Sequence, residues 1–371
     1  MRLRFLVVSL MLLGLTAGTG YAQTFTGTID GYWSYNTNTP NFDPSDPLTG
    51  LNLERRNPYR AFDVRDQSFA VQYGEIAIDY KPNNVGFRAD IGFGDAADIV
   101  NASGSSTWRH IQQAYVTGTK DKFTFDFGKF VTPHGAEVIE TKDNWNYTRG
   151  LLFTWAIPFT HLGGRATYVA SDKVTLAGYL VNGWDNVNDE NTAKSIGFVG
   201  TFKPISKLTF VTNYLTGKEG QDTDNMRKMF DGVVTIALHD RFTLMGNYDY
   251  GQDKAPNILP GVSGPEVNWQ AAAGYAKVRA HDNFILSGRY EWFDDKQGFR
   301  TGTLQELQSG TVTAQIPVSD ATFWFEYRKD WSNQSVFNKT TEGIFDPVQS
   351  LVDSQSTFTL GLTYAFTKEV K

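Results

Sequence analysis

Five histidines and no cysteine bound the chemistry open to this 371-residue chain. Without cysteine there is no thiolate nucleophile, zinc–thiolate site, iron–sulfur cluster or disulfide framework. A hydrolase would need a histidine beside a nucleophile or an acidic partner. His239 and His281 fall in short polar connections and read as solvated turn residues. His110, His134 and His161 lie in or beside long loops, and no histidine pair has the spacing of a built metal site on a helix or strand. His134 and His161 share one loop with Glu137 and Asp143, which leaves a weak metal site there as an alternative. The acidic run Asp185-Asn-Val-Asn-Asp-Glu190 lacks the glycine and terminal glutamate of a calcium loop. Asp43-Pro-Ser-Asp46-Pro is a turn cluster. The residues point to no enzyme, no metal and no cofactor.

Charge is concentrated in two other patterns. One is the segment 129–162, which carries Lys129, His134, Glu137, Glu140, Lys142, Asp143 and Arg149 among Val138, Ile139, Trp145, Leu151, Leu152, Phe153, Trp155 and Ile157. The other is scattered: Arg88, Asp90, Asp126, Arg165, Arg289, Glu291, Glu326 and Arg328 each sit in a stretch of alternating polar and apolar residues. Val85, Phe87, Ala89, Ile91 and Phe93 alternate with Gly86, Arg88, Asp90, Gly92 and Gly94, and a period of two puts the two sets on opposite faces of a strand. Phe123, Phe125 and Phe127 against Thr124 and Asp126 repeat this, as do Phe358, Leu360, Leu362, Tyr364 and Phe366 against threonines and glycine.

Continued along the chain, the pattern predicts sixteen strands near 24–35, 68–80, 85–94, 111–118, 123–128, 163–169, 174–182, 195–202, 207–215, 229–238, 242–249, 269–280, 284–293, 304–316, 321–328 and 357–366. The connections alternate between short polar turns and long loops. An antiparallel meander of this size must manage its edges, and no repeat of a propeller and no linker between two sandwiches is present. Closure into one transmembrane up-and-down barrel, with short turns on the periplasmic side and long external loops, satisfies the alternation. A water-filled lumen also tolerates eight ionised wall residues that a dry core would not. Tyr and Trp near strand ends (Tyr80, Tyr168, Tyr214, Tyr290, Trp292, Tyr327) suit interfacial girdles facing outer-membrane lipid.

The N-terminus agrees with that destination. Arg2 and Arg4 precede an apolar run from Phe5 to Leu15, and Gly20-Tyr21-Ala22 offers a cleavage site. Residues 1–22 are therefore expected to be a signal peptide and 23–371 one barrel domain exported from a Gram-negative-type cell. The run is too short for a membrane helix, which needs about 20 residues. The chain holds 34 Lys plus Arg against 40 Asp plus Glu, and its net charge of −6 argues against nucleic acid as partner.

Three stretches carry a family resemblance: Phe127-Gly-Lys-Phe130-Val-Thr-Pro-His-Gly135-Ala-Glu137-Val-Ile-Glu140, then Asn144-Trp-Asn-Tyr-Thr-Arg149-Gly-Leu-Leu-Phe, then Ala156-Ile-Pro-Phe-Thr-His161-Leu-Gly-Gly-Arg165. With Tyr179-Leu-Val-Asn-Gly-Trp-Asp185 and the residues around Asn213 and Gly217, the mature chain resembles the OmpL-like outer-membrane β-barrel porins. The resemblance implies a diffusion pore for small hydrophilic solutes or ions, inserted by the barrel-assembly machinery. In the sixteen-strand porins that the architecture resembles, the third long loop folds inward and the chains are often homo-oligomers. Loop 129–162 is therefore expected to pack on the inner wall as a constriction, with Glu137, Glu140 and Asp143 facing arginines such as Arg88, Arg165 and Arg289. An external cap, a closed barrel acting through its loops, and a sugar or anion channel using Trp145, Tyr147 and Trp155 remain as alternatives. One departure is that five residues follow Phe366, where such barrels usually end on an aromatic.

Overall fold

The computed structural model describes residues 23–40, 56–81, 83–102, 104, 108–220, 226–255, 264–341 and 348–370. The expected signal peptide and the Asp43–Asp46 turn cluster lie outside them. The strands are β1 (Gln23–Asn36), β2 (Phe69–Tyr80), β3 (Val85–Phe93), β4 (Ile111–Lys120), β5 (Phe123–Val131), β6 (Thr160–Ser171), β7 (Val174–Val181), β8 (Ser195–Ile205) and β9 (Leu208–Lys218). They continue with β10 (Met226–His239), β11 (Phe242–Lys254), β12 (Glu266–His281), β13 (Phe284–Asp295), β14 (Gln305–Val318), β15 (Ala321–Ser332), β16 (Phe337–Thr341), β17 (Val348–Val352) and β18 (Ser354–Val370).

Sixteen of these, all but β16 and β17, close into one barrel in sequence order, every neighbouring pair antiparallel. The last seam joins β1 to β18, from Gln23 opposite Val370 to Asn36 opposite Thr357. The alternation of the sequence is the alternation of the wall. Phe123, Phe125 and Phe127 are more than half exposed on the outside, where lipid replaces water, while Asp126 between them is buried on the inside. The same division holds on β18, with Phe358, Leu360, Leu362, Tyr364 and Phe366 outside and Thr357, Thr359 and Thr363 buried inside. Among the described residues, no helix is long and apolar enough to cross a membrane; the strands do the crossing, because closed pairing satisfies every backbone group of the wall.

The structure adds three things that the pattern did not give. The final strand runs past Phe366, pairing 367–370 with 23–26 of β1. The second long loop opens with a short helix, α1 (Asp95–Val100), and the last one holds the hairpin β16–β17. A bulge between Asp30 and Gly31 of β1 leaves Gln72 of β2 unopposed. Such an extra residue re-aims a side chain, and Gln72 turns inward to donate to Asp30 Oδ2 at 2.6 Å.

Candidate functional site

The chain between β5 and β6, residues 132–159, packs across the bore against the inner wall. Its base is closed by Thr132 N donating to Phe159 O at 2.9 Å. Phe159 N and Thr160 N both donate to Asp185 Oδ1, at 2.5 and 2.8 Å, tying the return limb to the next long loop. Asp185 is half-buried, and desolvation of its carboxyl raises it to about 6. His134 donates to or accepts from the Tyr179 hydroxyl at 2.8 Å, and burial depresses the imidazole to about 3. Beyond it, Gly135 takes a left-handed backbone (φ +89°). That turn aims Gly135 N at Asp231 Oδ1 (3.0 Å) and Ala136 N at Asn247 Oδ1 (3.1 Å), on β10 and β11.

The loop then reaches β13. Glu137 lies between Arg289 Nη1, 2.5 Å from its Oε1, and Gly150 N, which donates to its Oε2 at 2.7 Å. Arg289 also pairs with Glu291 at 2.8 Å and donates to Thr148 O at 2.6 Å. One strand pair further round, Glu326 accepts from Tyr147 N (2.7 Å), Thr148 N (3.2 Å) and Thr148 Oγ1 (2.5 Å). Arg328 donates to Arg149 O at 2.6 Å. The tip ends on the β1–β18 seam, where the Tyr147 hydroxyl donates to Asp30 Oδ1 at 2.5 Å. Gly361 of β18 makes room for the Tyr147 ring, since a Cβ there would stand 2.3 Å from ring carbon Cε2. Arg149 folds back on its own loop, donating to Val138 O (3.0 Å), Tyr147 O (2.6 Å) and Thr141 Oγ1 (2.8 Å). A π-helical turn, Leu152–Ala156, packs on β11 and β12, and Trp269 Nε1 donates to Ala156 O at 3.1 Å.

Of the residues singled out from sequence, Glu137 meets Arg289, while Glu291, Glu326 and Arg328 meet loop backbone. The other pairings differ from expectation. Arg88 pairs with Asp90 at 2.9 Å and Arg165 with Asp126 at 2.8 Å, both within the wall, because each arginine has a carboxylate at the next inward position or directly across the ladder. Glu140 lies near Asp90 and Glu75 instead of an arginine, and burial raises its carboxyl. Asp143 is half exposed beside Lys142. Lys129 turns to the second long loop, donating to Ile111 O at 2.6 Å and to Asn101 Oδ1. Among the described residues no three His, Asp or Glu side chains stand together to hold a metal ion, and the His134 and His161 rings stand 6.5 Å apart with separate hydrogen-bond partners.

Sequence reasoning did not single out Asp30, Asp231, Asn247 and Asp249, and named Asn213 only in the resemblance, although alternation alone assigns each to the inner face; Asp330 lies beyond the strand predicted over 321–328, on the part of β15 that runs to Ser332. It also did not anticipate that the first long loop folds in. Arg60 reaches Asp330 at 2.8 Å, Phe62 is fully buried edge-on to Phe153, and the Arg149 guanidinium lies 5.1 Å from the Phe62 ring. No local signal marks that insertion.

A closed sixteen-strand wall, apolar without and charged within, is the architecture of an outer-membrane channel. The chain belongs to the family described as "Putative beta-barrel porin-2, OmpL-like", which it matches over residues 23–366. No curated protein matches it. Among solved structures, it is similar to OmpT of Vibrio cholerae in its trimer form, at 14% identity and TM-score 0.60 over 94% of this chain and 100% of that one. An anion-selective porin from Comamonas acidovorans matches at 10% identity and TM-score 0.59, covering 93% and 100%. Salmonella typhi OmpF in complex with daunomycin matches at 12% and 0.56, covering 94% and 98%. At such identities these likenesses speak to the fold.

Proposed function

We propose that the protein is an outer-membrane porin giving passive diffusion of small hydrophilic solutes, with residues 132–159 as its constriction. The observation that carries this reading is the run of contacts from Gly135 to Tyr147, which holds the loop on β10, β11, β13, β15 and β1 at the level of the wall charges. Around that level charge is separated. Lys277 and Arg279 stand on β12, the Lys277 ammonium 4.4 Å from the Trp145 ring of the loop. On the other side Glu75 of β2, Asp90 of β3 and Glu140 and Asp143 of the loop outnumber Arg88 and Lys142, β2 being six strands from β12 in the barrel order. Opposed charges of this kind set a field across a passage and an ion preference. Export through residues 1–22, insertion by the assembly machinery and a homo-oligomeric state belong to the same reading.

A second reading has its own support. Phe62 of the first long loop packs on Phe153 and Arg149 of the constriction, while Arg60 anchors that loop to the wall at Asp330, which fits a sealed barrel acting through its external loops. Single-channel conductance of the refolded chain in a planar bilayer separates the two. Discrete, stable steps that enlarge when residues 134–149 are deleted support the porin. Silence from folded protein supports the sealed barrel, and an unchanged step size after deletion removes the constriction role.

A further inference from the structure

The inner faces of β9, β10 and β11 carry a row of oxygen ligands of which the pore reading uses only Asp231 and Asn247, as anchors of the loop. Asn213 lies directly opposite Asp231, and Asp231 directly opposite Asp249. Side chains in such positions have Cβ atoms about 4.5–5.5 Å apart, and like charges facing one another there are destabilising. Both aspartates are fully buried, and Asn213 is 1% exposed. Asp231 is well supplied with donors: Gly135 N at 3.0 Å, Asn213 Nδ2 at 2.5 Å and Asn247 Nδ2 at 2.7 Å. Asp249 takes the Asn247 amide, at 3.2 Å to Oδ1, and its carboxyl stands within hydrogen-bonding reach of that of Asp231. Its Oδ2 has no hydrogen-bond partner, and neither has Asn213 Oδ1. The ion pairs among the described residues include neither aspartate, those of the neighbouring wall being made by Arg227 with Asp253 and Arg289 with Glu137 and Glu291.

Two facing carboxylates with no basic side chain beside them call for a proton or a cation between them, and two lone-pair oxygens at the row are open to a ligand. A proton shared between the aspartates would answer Asp249 Oδ2 and leave the Asn213 carbonyl oxygen unsatisfied. A cation seated on the row would answer both. The donors are all oxygen and two are anionic, the chemistry of hard, many-coordinate ions. We propose that Asn213, Asp231 and Asp249 bind a divalent cation of the Ca²⁺ type under the first turn of the inner loop. The ion neutralises the row to which Gly135 and Ala136 are fastened, so it secures the base of the loop. The assignment is independent of whether the barrel conducts.

The test uses the refolded full chain, stripped with a chelator, at pH 8. Equilibrium dialysis against radioactive Ca²⁺ and the midpoint of heat unfolding on gels are read together. The wild type is expected to retain Ca²⁺ saturably and to gain several degrees at about a hundredfold excess over Kd. Asp249→Asn is expected to weaken that binding at least tenfold while keeping the compact folded band. Asn213→Ala makes the same comparison should the first variant fail to fold. An equal Ca²⁺ response in wild type and variants overturns the site, because the ion then binds elsewhere. So does a wild type indifferent to Ca²⁺, and a higher Asp249→Asn midpoint at pH 8 would then assign the shared proton.

Discussion

Buried ionisable side chains inside this barrel are held by partners that differ in kind. Arg289 has two carboxylates, Glu137 and Glu291, whereas Arg149 has loop carbonyls and a hydroxyl. His134 has only the Tyr179 hydroxyl, and its Nδ1 is buried without a partner. That makes His134 a sensor of acid. Its imidazole binds a proton near its ordinary value when unfolded and at about 3 when folded, because burial penalises the charged form. Between those limits the unfolded chain binds more protons, so stability rises with pH there and is lost as pH falls. The slope approaches about 1.4 kcal/mol per pH unit within the window. Asp185, its carboxyl raised to about 6 by desolvation, has the opposite sign: its contribution falls as pH rises toward 6. The heat-unfolding midpoint of His134→Gln, compared with wild type from pH 7 to pH 4, is therefore expected to flatten the acid loss. Parallel curves would show that His134 does not carry it.

The strands were legible in the sequence because each has one lipid face, and a lipid face is written as an apolar residue at every second position. Even β4 and β12, whose faces are not cleanly apolar, fall where predicted, between well-marked neighbours that leave no other place for the ladder. The inner loop was legible in part. Its apolar content implied burial, and Glu137 with Arg289 was among the expected partners. Arg88 and Arg165 were assigned to the loop although carboxylates nearer in the ladder claim them, a choice that only register decides. The folded-in first loop and the hairpin β16–β17 have no periodic signature at all, since irregular backbone packs by shape. Shape also gives the test of the loop as an element. Gly361→Val puts a branched side chain where the Tyr147 ring lies, in a strand that favours valine. The barrel is expected to fold, with the tip displaced from Asp30 and Glu326 and with altered single-channel conductance and noise. Wild-type conductance with wild-type heat stability would show that the tip does not shape the passage.

At the scale of the whole molecule, the wall is completed by one seam, and the chain beyond Phe366 belongs to it. Ending the chain at Phe366 removes the β18 partners of residues 23–26, which keep only those on β2, and places an aromatic at the terminus. The truncated chain is expected to refold more slowly and to unfold at a lower temperature, as measured by the shift between heated and unheated bands; equal rates and midpoints would show that 367–370 add nothing. The same seam is strapped from within. Tyr147 and Thr141 bond Asp30 on one side of it, and Tyr147 packs on Gly361 and Trp324 on the other. The strap leaves the wall between β5 and β6, far round the circumference from the strands that it fastens. A loop anchored between β5 and β6 thus braces the junction of the first and last strands from inside, so the contents of the ring share in holding it shut.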